Sequence, residues 1–201
     1  MLTSITPLGE WGRGHRYVVT AVAFVLGAVL GGGALGASLG AMGSAVSRWL
    51  GMTESERLLA LGGSVILGLT LDLTGWNYRL PGPRRQVNER WLDRYRGWAY
   101  GVGFGFQLGL GVVTIVTTAM VYVVTVAVFV SPTPLAGLAI GATFGALRGL
   151  TVLPGSTVRE PSLLYVVSGH LRDWKARVVH LCAACESAIG VLAVLVVLKQ
   201  G

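Results

Sequence analysis

The chain has 201 residues, 53% hydrophobic and 12% charged, with 16 Lys and Arg against nine Asp and Glu and a net charge of +7. Soluble domains carry about 25% charged residues, so this composition excludes an ordinary water-soluble globule and points to an integral membrane protein. The basic excess lies between apolar stretches rather than along one polar face, which fits loops beside anionic lipid headgroups and argues against nucleic acid as a partner.

A membrane-spanning helix needs about 20 mostly apolar residues. The first apolar stretch runs from Arg16 to about Trp49, longer than one simple span, and Gly31-Gly32-Gly33 predicts an interruption within it. It far exceeds the about 7–15 apolar residues of a cleavable signal, so it is expected to stay in the mature protein. The second stretch, Leu58 to about Trp76, contains Asp72. The third begins at Gly97 and merges with the fourth, because residues 97–130 carry no charge. Ser131-Pro132-Thr133-Pro134 breaks the fourth, since its prolines remove two backbone donors. The remainder, 135–153, carries Arg148. A short apolar piece follows at Leu163–Val167, and the last span covers about Ala176 to Leu198.

The expected fold is therefore all-α, a polytopic transmembrane bundle of about five or six spans forming a single integral membrane domain over residues 1–201. The count depends on whether 161–169 is interfacial, re-entrant or a short fifth helix. Arg79, Arg84, Arg85, Arg90, Arg94 and Arg96 place the loop 79–96 in the cytoplasm of a multi-pass cell-membrane protein. Arg172, Lys175 and Arg177 mark a second cytoplasmic loop, and Arg13 and Arg16 put the N-terminus on the same side. Val87–Arg96 reads either as an amphipathic surface helix or as a charged loop with interfacial aromatics.

The chain also repeats itself. YVVTAVAFV at 17–25 returns as YVVTVAVFV at 122–130, and over 17–44 at an offset of 105 residues, 13 of 28 positions are identical. Glycine and alanine matches come cheaply in apolar sequence. The pairs Tyr17/Tyr122 and Thr20/Thr125, with no gap, favour duplication over convergence. Leu58-Leu59 matches Leu163-Leu164 at the same offset, and Arg90–Val116 matches Gly169–Leu195 after the second copy loses about 26 residues. Two three-segment halves follow, about 17–117 and 119–198, and such repeats are a mark of small transporters.

Within this frame, Gly36 and Gly40, with their counterparts Gly141 and Gly145, set small residues one turn apart for close helix packing. Ser131 and Thr133 lie in the proline break, which is either an irregular segment lining a substrate path or a plain turn. Asp72, Gln107 and Glu186 are polar groups inside apolar segments, where charge usually faces a cavity or a partner. Gln107 and Glu186 align in the two halves and make a candidate proton or cation path, with Asp72 as a third member or an interfacial residue. His180, Cys182 and Cys185 form a chemically rich cluster whose thiolates and imidazole suit zinc, copper(I) or dithiol exchange, though inert membrane cysteines are common. No phosphate loop, catalytic triad or metalloprotease motif is present, and the sequence requires no cofactor.

Val126-Ala-Val-Phe-Val-Ser-Pro-Thr-Pro-Leu resembles the start of a repeat helix in the CcdA/DsbD-type, LysE-like small membrane transporters. The resemblance implies a helical scaffold of two related halves and a cargo of reducing equivalents or a sulfur compound. Thr133 stands where that family carries a cysteine, and the first copy has no Pro-Cys, so the family's cysteine-pair electron transfer does not carry over. Two functions are expected from the sequence. One is a transporter or exporter moving a small solute, ion or reducing equivalents between its halves. The other is a non-transporting subunit that docks glycine faces on a membrane-protein partner or on a second copy of itself; lipid is the surrounding partner in both.

Overall fold

A computed structural model describes residues 5–74, 94–111 and 119–200. Among the described residues there is no strand. Seven α-helices follow in order: α1 (Pro7–Gly12), α2 (Tyr17–Leu50), α3 (Glu54–Leu73), α4 (Gly97–Gly109), α5 (Met120–Phe129), α6 (Pro134–Gly149) and α7 (Pro161–Gln200). A 3-10 helix, Leu150–Thr157, extends α6. Two stretches, Tyr17–Leu50 and Pro134–Thr157, are long and apolar enough to cross a membrane. Most of the arginine-rich loop lies outside the described residues.

Three boundaries differ from those read in the sequence. α2 runs unbroken through Gly31-Gly32-Gly33. Glycine loosens an isolated helix, but here Gly31 lies on the backbone of Phe106 and Gly32 on that of Gly141, so packing takes the place of a side chain. The third and fourth stretches are separate, because α4 ends at Gly109 and Gly111 turns the chain at φ 70°. α7 is one helix of 40 residues that joins the short apolar piece to the last span. Polarity across Ser168–Lys175 reads as a loop in sequence, yet the segment contains no proline and nothing there stops a helix.

The chain packs as two compact units, and each draws on both sequence halves. Unit one comprises Met1–Leu35, Pro83–Thr114 and Gly141–Trp174; unit two comprises Gly36–Gly82, Ile115–Ile140 and Lys175–Gly201. α2, α6 and α7 contribute residues to both.

In unit one α4 lies along the first half of α2 in the same direction: Gly101 meets Thr20, Gly27 meets Val102 and Gly31 meets Phe106. The core there is Ile5, Ala21, Phe24, Tyr100, Phe104 and Val152. The Tyr17 hydroxyl donates to the Val152 carbonyl at 3.0 Å. In unit two α3 packs on α5, and α7 lies antiparallel to α3, with Gly190 against Val65 and Glu186 against Gly68. Gly51, at φ 65°, turns the chain out of α2. Thr53 and Glu56 then form a capping box that starts α3.

Glycines bring α2 and α6 together within each unit. In unit one, a methyl group added to Gly32 would lie 3.0 Å from the Gly145 Cα, and Gly32 also meets the Gly141 carbonyl. In unit two, one added to Gly137 would lie 2.6 Å from the Gly36 carbonyl and 3.0 Å from the Gly40 Cα. Low residue numbers on α2 meet high ones on α6, so the helices run antiparallel in both places. The outward face of α2 is the reverse of a soluble helix. Val18, Val22, Leu26 and Leu30 are exposed at four-residue spacing, whereas Thr20, Ala21, Phe24 and Ala28 are buried.

Candidate functional site

Asp72 and Glu186 come together in unit two. Asp72 closes the last turn of α3, and Glu186 lies in the second half of α7. Both are buried; Glu186 has no exposed surface at all. The sequence makes the approach feasible at Gly68, one turn before Asp72 on the same face of α3. A methyl group there would lie 3.3 Å from Glu186 Oε1 and 2.8 Å from Val123 Cγ2. α7 therefore seats its carboxylate on bare α3 backbone, with α5 closing the side.

The two carboxylates have different partners. The Ala119 backbone N–H donates to Asp72 Oδ1 at 2.8 Å, which fixes the Asp72 rotamer at the start of α5. Asp72 Oδ2 and both oxygens of Glu186 are buried without a hydrogen bond. Asp72 is also the charge that acts on Glu186. Two such groups with no countercharge are costly unless a proton or cation joins them.

Gln107 is half-buried on α4 in unit one, whereas Asp72 and Glu186 belong to unit two. Ser131 and Thr133 serve the proline break. Ser131 is buried and its hydroxyl donates to the Val128 carbonyl at 2.6 Å. Exposed Thr133 accepts the Ala136 N–H at 3.1 Å, capping α6 ahead of Pro134. Both hydroxyls are thus committed to closing helix ends. Gly36, Gly40, Gly141 and Gly145 all lie at the α2–α6 contacts just described.

His180, Cys182 and Cys185 do not converge. His180 and Cys185 are exposed on α7, Cys182 is half-buried, and no three His, Cys, Asp or Glu side chains among the described residues could hold a metal ion. A position two residues on along a helix points about 200° away, so His180 and Cys182 face opposite sides. The metal site read from their spacing is therefore not assembled.

A third buried carboxylate escaped the sequence reading. Glu10, on α1 in unit one, is fully buried. It accepts hydrogen bonds from the Tyr100 hydroxyl and, at 2.6 Å, from the Thr20 hydroxyl. Arg13 pairs with it at 2.7 Å, and His15 Nδ1 lies 3.9 Å away. The available signal was weak: Thr6 before Pro7 marks a helix start, but nothing local shows that the helix is buried. Glu10 is satisfied on every side and acts as a fastener; Glu186 is the carboxylate left open. Comparison with protein families, characterised proteins and solved structures returns no match to this chain.

Proposed function

We propose that the chain is a small multi-pass membrane transporter of two related halves, moving a small solute or ion. The observation that carries this reading is the inside-out distribution of polarity. Apolar rows such as Val18, Val22, Leu26 and Leu30 face outward, while Asp72 and Glu186 are buried with unpaired oxygens. In lipid the outer rows lose nothing by exposure, and buried unpaired charge is a mark of an ion or substrate path.

Two further observations support it. The glycines of α2 and α6 are used against each other, so the free glycine face that an accessory subunit needs is already occupied. The contacts also exchange under the 105-residue offset. Gly32 with Gly141 becomes Gly137 with Gly36, and Gly32 with Gly145 becomes Gly137 with Gly40. The antiparallel contact gives the first helix of each half opposite directions, the arrangement of inverted-repeat transporters.

The test is flux. The full chain is reconstituted in vesicles loaded with a pH-sensitive dye, and a potassium diffusion potential is imposed with valinomycin. Proton movement well above that of empty vesicles is expected, falling to that background in Glu186→Gln. Wild-type vesicles as tight as empty ones refute proton-coupled transport.

A further inference from the structure

We propose that the Asp72–Glu186 pair holds one exchangeable proton, carried by Glu186 in the hollow that Gly68 leaves on α3. This rests on the transporter reading and names its coupling ion. Three features select a proton over a metal cation. Glu186 has no exposed surface, so a hydrated ion has no room for its water. Among the described residues no third acidic, histidine or cysteine ligand joins the pair. One Asp72 oxygen is already taken by the Ala119 N–H, leaving three oxygens for one small cation.

A proton needs none of these. Uptake forms one O–H bond on a Glu186 oxygen as hydronium becomes water, and release to water reverses it. The bound form has one negative charge instead of two, and that charge stays on Asp72, next to its N–H donor. Among the described residues the surroundings present no competing acid or base. On α3 the facing ionisable group is Asp72, beyond Gly68 and Val65; α5 presents Ala119 and Val123, neither of which titrates. On α7 itself, the positions one turn from Glu186 are Cys182, Ala183, Ile189 and Gly190, of which Cys182 alone carries an ionisable group.

The pair is also built to move. α3 and α7 meet where the Glu186 side chain lies over Gly68 and the Val65 side chain over Gly190, each resting on a backbone that bears no side chain of its own. A small slide of α7 would separate Glu186 from Asp72 and open the carboxyl to water.

The experiment is infrared difference spectroscopy of the full chain in lipid across a pH titration, reading the C=O stretch of a protonated carboxyl in an apolar site. The wild type is expected to show such a band, titrating with pH. Glu186→Gln removes it, Asp72→Asn displaces its midpoint by at least about tenfold in proton concentration, and the exposed Glu56→Gln leaves it unchanged. If Glu186→Gln does not fold, the Asp72→Asn displacement decides. A wild type without the band, a band that persists in Glu186→Gln, or a midpoint untouched by Asp72→Asn overturns the proposal. Flux is read separately: the expected band in vesicles that pass no protons keeps the site and removes the transporter, whereas flux without the band removes the site alone.

Discussion

Removing Glu10 should loosen the N-terminal segment more than any other single change in unit one. Its carboxylate is fully buried and is the shared acceptor of the Tyr100 and Thr20 hydroxyls and of Arg13. A hydrogen bond to a charged group contributes about 1.5–3 kcal/mol, so Tyr100→Phe, which keeps the ring beside Phe104, should cost about that much. Thr20→Val removes a second such bond of 2.6 Å and should cost a similar amount. Glu10→Ala leaves both hydroxyls and the guanidinium without their acceptor, and breaking a buried pair costs about 3–5 kcal/mol. Because Arg13 is partly exposed, the lower half of that range is expected. The assay is reversible denaturant unfolding in detergent, followed by tryptophan fluorescence. Tyr100→Phe and Thr20→Val should also couple through the shared carboxylate by about 0.5 kcal/mol or more in a double-mutant cycle. Changes below about 0.5 kcal/mol for both Tyr100→Phe and Glu10→Ala would refute the fastener.

At the α2–α6 crossing, Gly137→Val should destabilise by about 1–3 kcal/mol in the same assay, because its side chain would enter the Gly36 and Gly40 backbone. Asp72→Ala should cost about 1–3 kcal/mol by stranding the Ala119 N–H, while Asp72→Asn, which keeps an acceptor oxygen, should cost less. Glu56, two residues ahead of the apolar run from Leu58, is held below the usual carboxylate range by the Thr53 backbone N–H and then by its hydroxyl. Its capping contribution is therefore complete above the unfolded value near 4.5 and lost as pH falls through the lower folded value; by carboxyl NMR shifts, Thr53→Ala, which loses the hydroxyl but keeps the backbone N–H, should move that titration only part of the way back. In a background with Cys182 and Cys185 changed to Ser, a maleimide reagent should reach Thr53→Cys from one side of the membrane and Arg16→Cys and Arg159→Cys from the other; labelling of Arg16→Cys and Arg159→Cys from opposite sides would contradict the antiparallel α2 and α6.

The helical class was legible because apolar stretches of spanning length leave few alternatives, and the proline break was legible because Pro132 and Pro134 cannot continue a helix. The glycine triplet misled because glycine has two opposite uses: it weakens an isolated helix and enables a packed one. Which applies at Gly32 depends on Gly141, over a hundred residues away. Asp72 and Glu186 were legible as charges in apolar sequence, but not as neighbours, since the Gly68 hollow that joins them looks like any other helical glycine. Glu10 was invisible for a related reason. It precedes the first long apolar helix, where a carboxylate reads as solvated, and its burial comes from Tyr100 on a different helix.

The proposed duplication and the fold bear on each other at two points. Random convergence of glycine-rich segments predicts similar composition, but it does not predict which glycines touch. Here the touching pairs are the ones that exchange when 105 is added or subtracted: Gly32 with Gly141 and Gly145, and Gly137 with Gly36 and Gly40. That is the logic of an isologous interface, in which residue i meets j and j meets i, written into one chain. The second point is α7. In the first half, α3 and α4 are separate helices joined through residues 74–96. The alignment of the proposed second half leaves out about 26 residues at the corresponding place, and there residues 161–200 run as one 40-residue helix. On that reading one deletion makes the halves unequal, and with them their buried chemistry: Gln107 on α4 aligns with Glu186 on α7, the neutral member in the separate helix and the ionisable one seated over Gly68.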